Sequence, residues 1–385
     1  MTILDPDRMI ADAKSQTGLA DFGPDDFLEP LHVLVDSINR EARLTDDAAN
    51  YQRGFFTHHL CQHLRFEEVW KRHPEIDAQE VVSPLVVLGL QRSGTTKLSR
   101  VIASDPQWHV IRLWDGLSPL PVADGLTPEE DKQQRLAVAQ RHVDWSSRVN
   151  MNAAHYSNLY EPEQESVTLW SQTFMTPPAW LHTPSHHHWC ETADHMPLYR
   201  FFKRQLKFMQ WQRGEAPGKR WVLKTPAHLD HLDELTAVFP DVKIAWSHRH
   251  PKTAVASLFR IVEMACRMYS DQIDREAIGR LWLHNQIRMI GRAMDYRVRR
   301  PDFALHDVQF RDTVRDSAGV VKSIYAFANA PFTEETTQSV ARWEDDNEQG
   351  KHGEYKYALT DYGVTEAEIE NGFRAYIERF ITETE

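Results

Sequence analysis

At 385 residues, 41% of them apolar, the chain can close a substantial core and is too apolar to remain disordered. A formal charge of −12 argues against nucleic-acid binding, because phosphate backbones select basic surfaces, so an anionic ligand would need a local basic pocket. The three cysteines, Cys61, Cys190 and Cys266, are too few and too widely spaced for a disulfide framework, and the N-terminus lacks the basic start and apolar run of a signal peptide. The longest apolar stretch, Leu85 to Leu90, is too short to span a bilayer, so a cytoplasmic protein is expected.

The first 80 residues read as a helical layer. Phe27, Leu28, Leu31, Leu34, Val35 and Ile38 recur at helical spacing. Thr45 can cap a second helix, with Asp46 and Asp47 in its first turn and Tyr51, Phe55, Phe56, Leu60 and Leu64 along it; His73-Pro74 ends it. From residue 81 the pattern changes. Pro84 to Leu90 is a short β-branched run that reads as a buried strand, followed by a Gly/Ser/Thr loop and a helix from about Thr96 to Ala103. Thr127-Pro-Glu-Glu130 is a capping box ahead of another helix, and Met196 to Trp211 is helical. Arg220 to Lys224 and Val242 to Trp246 read as core strands separated by a helix over His228 to Phe239. Pro251 opens a further helix, Phe303 to Phe310 is a weaker strand, and Thr365 to Glu368 caps a terminal helix. Strands alternating with helices predict an α/β protein: a central parallel sheet flanked by helices. No linker interrupts 1–385, so one domain is expected, with an α/β core over 81–385.

The central motif is Gly89-Leu-Gln-Arg-Ser-Gly-Thr-Thr96, between a strand and a helix. Its outline is that of a nucleotide-triphosphate loop, with Thr95 where that loop carries lysine. Backbone N–H groups and a helix N-terminus would cradle an anion, Ser93, Thr95 and Thr96 would add hydroxyls, and Arg92 a fixed charge. The absent lysine, and the absence of an acidic metal ligand after the strand ending in Ser247-His248-Arg249, point away from metal-bridged triphosphate chemistry. Lys224 and the Arg249/Ser257 pair each follow a strand, at the sheet edge where ligands of open α/β folds gather.

Together these motifs resemble the bacterial branch of the sulfotransferase superfamily almost end to end: Asp21-Phe-Gly23; Leu88 to Thr96; Arg220 to Leu229; His248-Arg-His-Pro251 with Ser257; Gly350-Lys-His-Gly353; and Asp361-Tyr-Gly363. The resemblance implies the P-loop-like sulfotransferase fold and the donor 3′-phosphoadenosine-5′-phosphosulfate, with adenosine 3′,5′-bisphosphate as product and no metal requirement. It implies cofactor contacts from Arg92, Ser93, Gly94, Thr95, Thr96, Arg249 and Ser257, with Lys224, Lys351, His352 and Gly353 as contributors and Phe310 stacking beside the adenine. Arg92 stands where many members use lysine; its guanidinium keeps its proton and so stabilises charge rather than acting as an acid. Gln91 replaces a frequent proline.

Sulfuryl transfer to a hydroxyl needs a base, and Glu163 and Glu165 in the acidic run Tyr160 to Glu165 are the candidates, with His155 as a third. The segment holding His182, His186, His187, His188, Cys190 and His195 lacks paired-cysteine spacing and is expected to be a loop lining the acceptor pocket, not a zinc site. Trp170, Phe174, Trp180 and Trp189 would make that pocket apolar. The partner expected is a small hydroxyl acceptor. The alternatives are a catalytically silent nucleotide-binding protein of the same fold and a P-loop kinase; the sequence leaves the oligomeric state open.

Overall fold

The computed structural model describes residues 3–121, 125–147, 163–214, 218–347 and 358–381. Five strands form one parallel sheet: β1 (Leu85–Gly89), β2 (Trp108–His109), β3 (Arg220–Lys224), β4 (Lys243–His248) and β5 (Leu305–Gln309). Their order is β2-β3-β1-β4-β5. β1 is central, and Val86 pairs with Leu223 on one side and Ile244 on the other.

The pleat explains the sequence of β1. Leu85 and Val87 join Val222 and Ala245 on one face; Val86 and Leu88 join Trp221, Leu223, Ile244 and Trp246 on the other. Both faces are buried, so the strand is an unbroken apolar run and not an alternating one. Each buried Val or Leu contributes about 1.5–3 kcal/mol. The first face is covered by the helix Thr95–Ala103, through Leu98, Val101 and Ile102, and by the helix Ser317–Ala328. The second is covered by Met196–Arg213, through Leu198, Phe202 and Leu206, and by Arg275–Arg299, through Trp282, Met289 and Ile290.

The N-terminal helices are Pro6–Thr17, Leu28–Ser37 and Asp46–Arg72, the last capped by Thr45 as its sequence predicts. Leu31, Leu34, Phe56 and Leu60 form their own cluster, closed by Phe174, Leu181 and Tyr269 from the α/β part. The predicted helix over His228 to Phe239 is instead a 3₁₀ turn, Pro226–Asp230, and a helix, Leu232–Val238. His231 separates them with φ −135° and ψ 38°, outside the helical region. The predicted terminal helix is likewise two, Glu366–Gly372 and Arg374–Phe380.

Topology then fixes where a ligand can sit. The chain leaves β1 towards β2 and β3 on one side, and reaches β4 and β5 on the other. The carboxyl ends of β1 and β4 are therefore the switch point of the sheet, where the loops diverge and leave a crevice. No helix among the described residues is long and apolar enough to cross a membrane.

Candidate active site

The loop after β1 is shaped by two glycines. Gly89 has φ +156°, and a Cβ there would stand 2.5 Å from the carbonyl oxygen of Ser247 and 2.6 Å from Ser93 Oγ. Gly94 has φ +83°, and a Cβ there would stand 2.5 Å from the Phe310 ring. Arg92 also takes a left-handed φ, +70°, uncommon for a residue with a side chain. Left-handed residues flanking Ser93 give the backbone the form of an anion nest, and the helix Thr95–Ala103 begins directly behind it. That helix has no acidic residue in its first turn. Ser93 Oγ is buried without a hydrogen-bond partner among the described residues, a polar atom whose bonding is left incomplete.

Residues from β4 and β5 close the loop on one side. Ser247 Oγ donates to the Ser93 carbonyl at 2.7 Å. Arg249 Nη1 donates to the Arg92 carbonyl at 2.9 Å, and its guanidinium lies 4.1 Å over the Phe310 ring. Arg92 Nε donates to Ser257 Oγ at 3.1 Å. Arg92, Ser93, Gly94, Arg249, Ser257 and Phe310 thus form one cluster, although more than 150 positions separate the first three from the others. Thr95 is buried at the helix start and Thr96 is exposed beside it.

The β3 side carries the carboxylates. A bridge between Arg112 and Glu163, with Gln164 N donating to the Ile111 carbonyl at 2.8 Å, holds the acidic segment against the chain after β2. Ser166 N donates to the Lys224 carbonyl at 2.8 Å, which docks the same segment on β3. The two glutamates then face different surroundings. Glu163 is buried; Ser99 Oγ donates to its Oε2 at 2.9 Å, and its Oε1 has no partner among the described residues. Burial pushes its carboxyl up to about 7, against the opposing pull of Lys224. Glu165 takes a bond from Lys224 Nζ at 2.5 Å and from Thr225 Oγ1 at 3.1 Å. Lys224, 3% exposed, thus directs its charge at Glu165. Thr225 and Ser99 hold these carboxylates, and sequence reasoning gave neither a role; both look like ordinary strand-end and helical hydroxyls until the chain is folded.

Glu165 opens onto a cavity of about 170 Å³ that Gln91 and Thr225 also line. Phe55, Phe174, Met175 and Trp180 make much of its wall apolar. Two of the four aromatics expected there therefore line it. Trp170 is instead fully buried in the main core, and Trp189 lies elsewhere, its Nε1 donating to Glu29 at 3.0 Å. The histidine-rich segment is not a loop: Pro184–Thr192 is helical, started by Pro184 at its first position. His187, Cys190 and His195 line the cavity. His195, His231 and Glu234 bring possible ligand atoms within 4.8 Å of one another, but both ring nitrogens of His195 already face carbonyl oxygens, of Ala193 at 2.9 Å and Met175 at 3.2 Å. His155, Lys351, His352 and Gly353 lie outside the described residues.

The fold and this cluster define a class: a parallel α/β protein with a lysine-less, arginine-bearing anion loop at its switch point. A model of the sulfotransferase family matches residues 84–334, and the chain belongs to that family. Among solved structures it is similar to the sulfotransferase STF9 from Mycobacterium avium, with 27% identity, a TM-score of 0.87, and 98% of this chain and 97% of that one covered. It is also similar to the sulfotransferase STF1 from Mycobacterium tuberculosis H37Rv, with 27% identity, a TM-score of 0.79, and 97% and 99% covered. No functionally curated protein sequence matches it.

Proposed function

We propose that the chain transfers a sulfuryl group from 3′-phosphoadenosine-5′-phosphosulfate to a hydroxyl of a small, largely apolar acceptor. The observation that carries this reading is the joining of Arg92, Arg249 and Ser257 into one basic cluster at a helix N-terminus, next to a cavity lined by a carboxylate. The loop residues Arg92 to Thr96 would hold the 5′-phosphosulfate, and the unpartnered Ser93 hydroxyl suits an anionic oxygen. Arg249 and Ser257 would hold the 3′-phosphate, Phe310 would lie against the adenine, and Lys351, His352 and Gly353 would add contacts. The donor supplies the activated sulfuryl group; the chain supplies position and charge. Arg92 and the N–H groups of the loop stabilise negative charge on the departing phosphate.

Glu165 is the base in this reading. A base must reach the acceptor hydroxyl, and Glu165 lines the cavity whereas Glu163 does not. Lys224 and Thr225 hold the Glu165 carboxylate in place. Three buried free thiols suit a reducing compartment, and we place the activity in the cytoplasm. Incubation of the purified protein with the sulfate donor and a metabolite extract, followed by mass spectrometry, tests the reading. Sulfated products and adenosine 3′,5′-bisphosphate are expected, with no loss in a metal chelator. A protein that neither binds adenosine 3′,5′-bisphosphate nor sulfates any component would overturn it.

A further inference from the structure

The lining of the cavity beside Glu165 includes a second polar pair. His187, on the helix Pro184–Thr192, and Asn285, on the helix Arg275–Arg299, both line it, and they are 4% and 3% exposed. Asn285 Nδ2 and His187 Nδ1 are 2.8 Å apart. The remaining polar atoms, His187 Nε2 and Asn285 Oδ1, are buried without a partner among the described residues. Burial holds His187 well below its ordinary value, so the ring is neutral, with one N–H and one lone pair.

That state fixes what the pair can offer. If the amide donates to Nδ1, then Nε2 carries the proton and the carbonyl oxygen is left over. If the amide is turned the other way, Nδ1–H donates to the oxygen, and Nε2 and the amide NH₂ are left over. Either arrangement leaves at least one donor and one acceptor. The complement is a group that itself both accepts and donates, such as a hydroxyl. Leaving such buried atoms unpaired costs about 1–3 kcal/mol each, so a ligand that pairs them gains selectivity.

The pair stands on other elements than the carboxylate, the helices Pro184–Thr192 and Arg275–Arg299. Thr225 touches Glu165, whereas Asp230 accepts from Arg288 Nη2 at 2.7 Å, one turn along from Asn285. The 3₁₀ turn Pro226–Asp230 joins the two. Phe174, Met175 and Trp180 line the same cavity. Resting on the sulfuryl-transfer reading, we infer that the acceptor is a diol: an apolar body whose first hydroxyl meets Glu165 and whose second is held by His187 and Asn285.

The test compares rigid apolar diols of graded hydroxyl spacing, each with its matching mono-ol and monomethyl ether. Binding is measured by calorimetry on the full chain saturated with adenosine 3′,5′-bisphosphate, and turnover is measured separately with the sulfate donor. The best-fitting diol should bind at least about tenfold more tightly than its mono-ol, with the ether, which only accepts, in between. Asn285→Leu, and independently His187→Phe, should bring the diol to mono-ol ratio to about one in protein whose circular dichroism is unchanged. Equal binding of diol and mono-ol by the unaltered chain at every spacing would overturn the inference, as would a ratio that survives both substitutions. Diol-selective binding without sulfation of any acceptor would count against the transfer reading alone; sulfation without selectivity would count against the diol alone.

Discussion

Burial against the helix Thr95–Ala103 pushes the Glu163 carboxyl up to about 7, and among the described residues Ser99 is its one hydrogen-bond donor. A carboxyl whose folded value lies above its unfolded value holds its proton more tightly when folded. Its contribution to stability is therefore fully present below about 4.5 and is lost as pH rises towards 7. Glu163→Gln keeps an acceptor for Ser99 and removes the ionisation. The variant should match the parent at pH 4.5 and exceed it at pH 8, by up to about 3 kcal/mol, because each tenfold weakening of the acid is worth about 1.4 kcal/mol. Thermal melts at the two pH values check this; a gap of the same size at both would show that burial of the charge is not the cause. At Arg249, the guanidinium joins the Arg92 carbonyl to the Phe310 ring. Arg249→Ala should weaken adenosine 3′,5′-bisphosphate binding at least about tenfold, in line with loss of a charged hydrogen bond. Calorimetry measures this, and unchanged affinity would remove Arg249 from the cradle. These two residues also mark what the sequence reveals. Arg249 stands after a strand and before a helix, a position that speaks for itself. The difference between Glu163 and Glu165 is invisible there, because it comes from neighbours (Ser99 for one, Lys224 and Thr225 for the other) that only the fold brings together.

At the scale of elements, β1, β3 and β4 are legible because burial on both faces leaves apolar runs too short for helices. β2 escapes because two residues carry no period. The helix Arg275–Arg299 escapes for another reason: arginines fall among its apolar positions, and three of them serve the partners Glu191, Asp230 and Asp233. The Asp361-Tyr-Gly363 signature is readable but its local role is packing. Tyr362 donates to Glu263 at 2.7 Å in the interior, and its backbone carbonyl lies where a Cβ on Gly279 would go. Backbone cannot swing aside, so Gly279→Ala should destabilise the protein by about 1–3 kcal/mol, the range for overpacking, even though alanine favours helices. Chemical denaturation measures it; a neutral or stabilised variant would mean that the two segments separate freely. In the loop, a Cβ at Gly94 meets the Phe310 ring and inherits a left-handed φ. Gly94→Ala should therefore reduce nucleotide binding more than it lowers stability.

The whole molecule carries a formal charge of −12, yet its proposed donor is an anion. The two are compatible only if the basic cluster acts locally, since the average field repels such a ligand at long range. Two consequences can be measured together. Binding to the folded state alone stabilises it, so adenosine 3′,5′-bisphosphate at a hundredfold excess over its dissociation constant should add about 2.7 kcal/mol and raise the melting temperature. That stabilisation should persist with a chelator present, because the loop presents Thr95 where a triphosphate site that uses magnesium presents lysine. ATP with magnesium is the control. A larger shift from ATP with magnesium than from the bisphosphate would identify the cradle as a triphosphate site and would return the chain to phosphoryl transfer. A shift from the bisphosphate alone, lost in Arg249→Ala, ties the long-range assembly of the sheet edge to the chemistry proposed for it: parallel strands set the loops side by side, and the cluster exists only once β1 and β4 have paired.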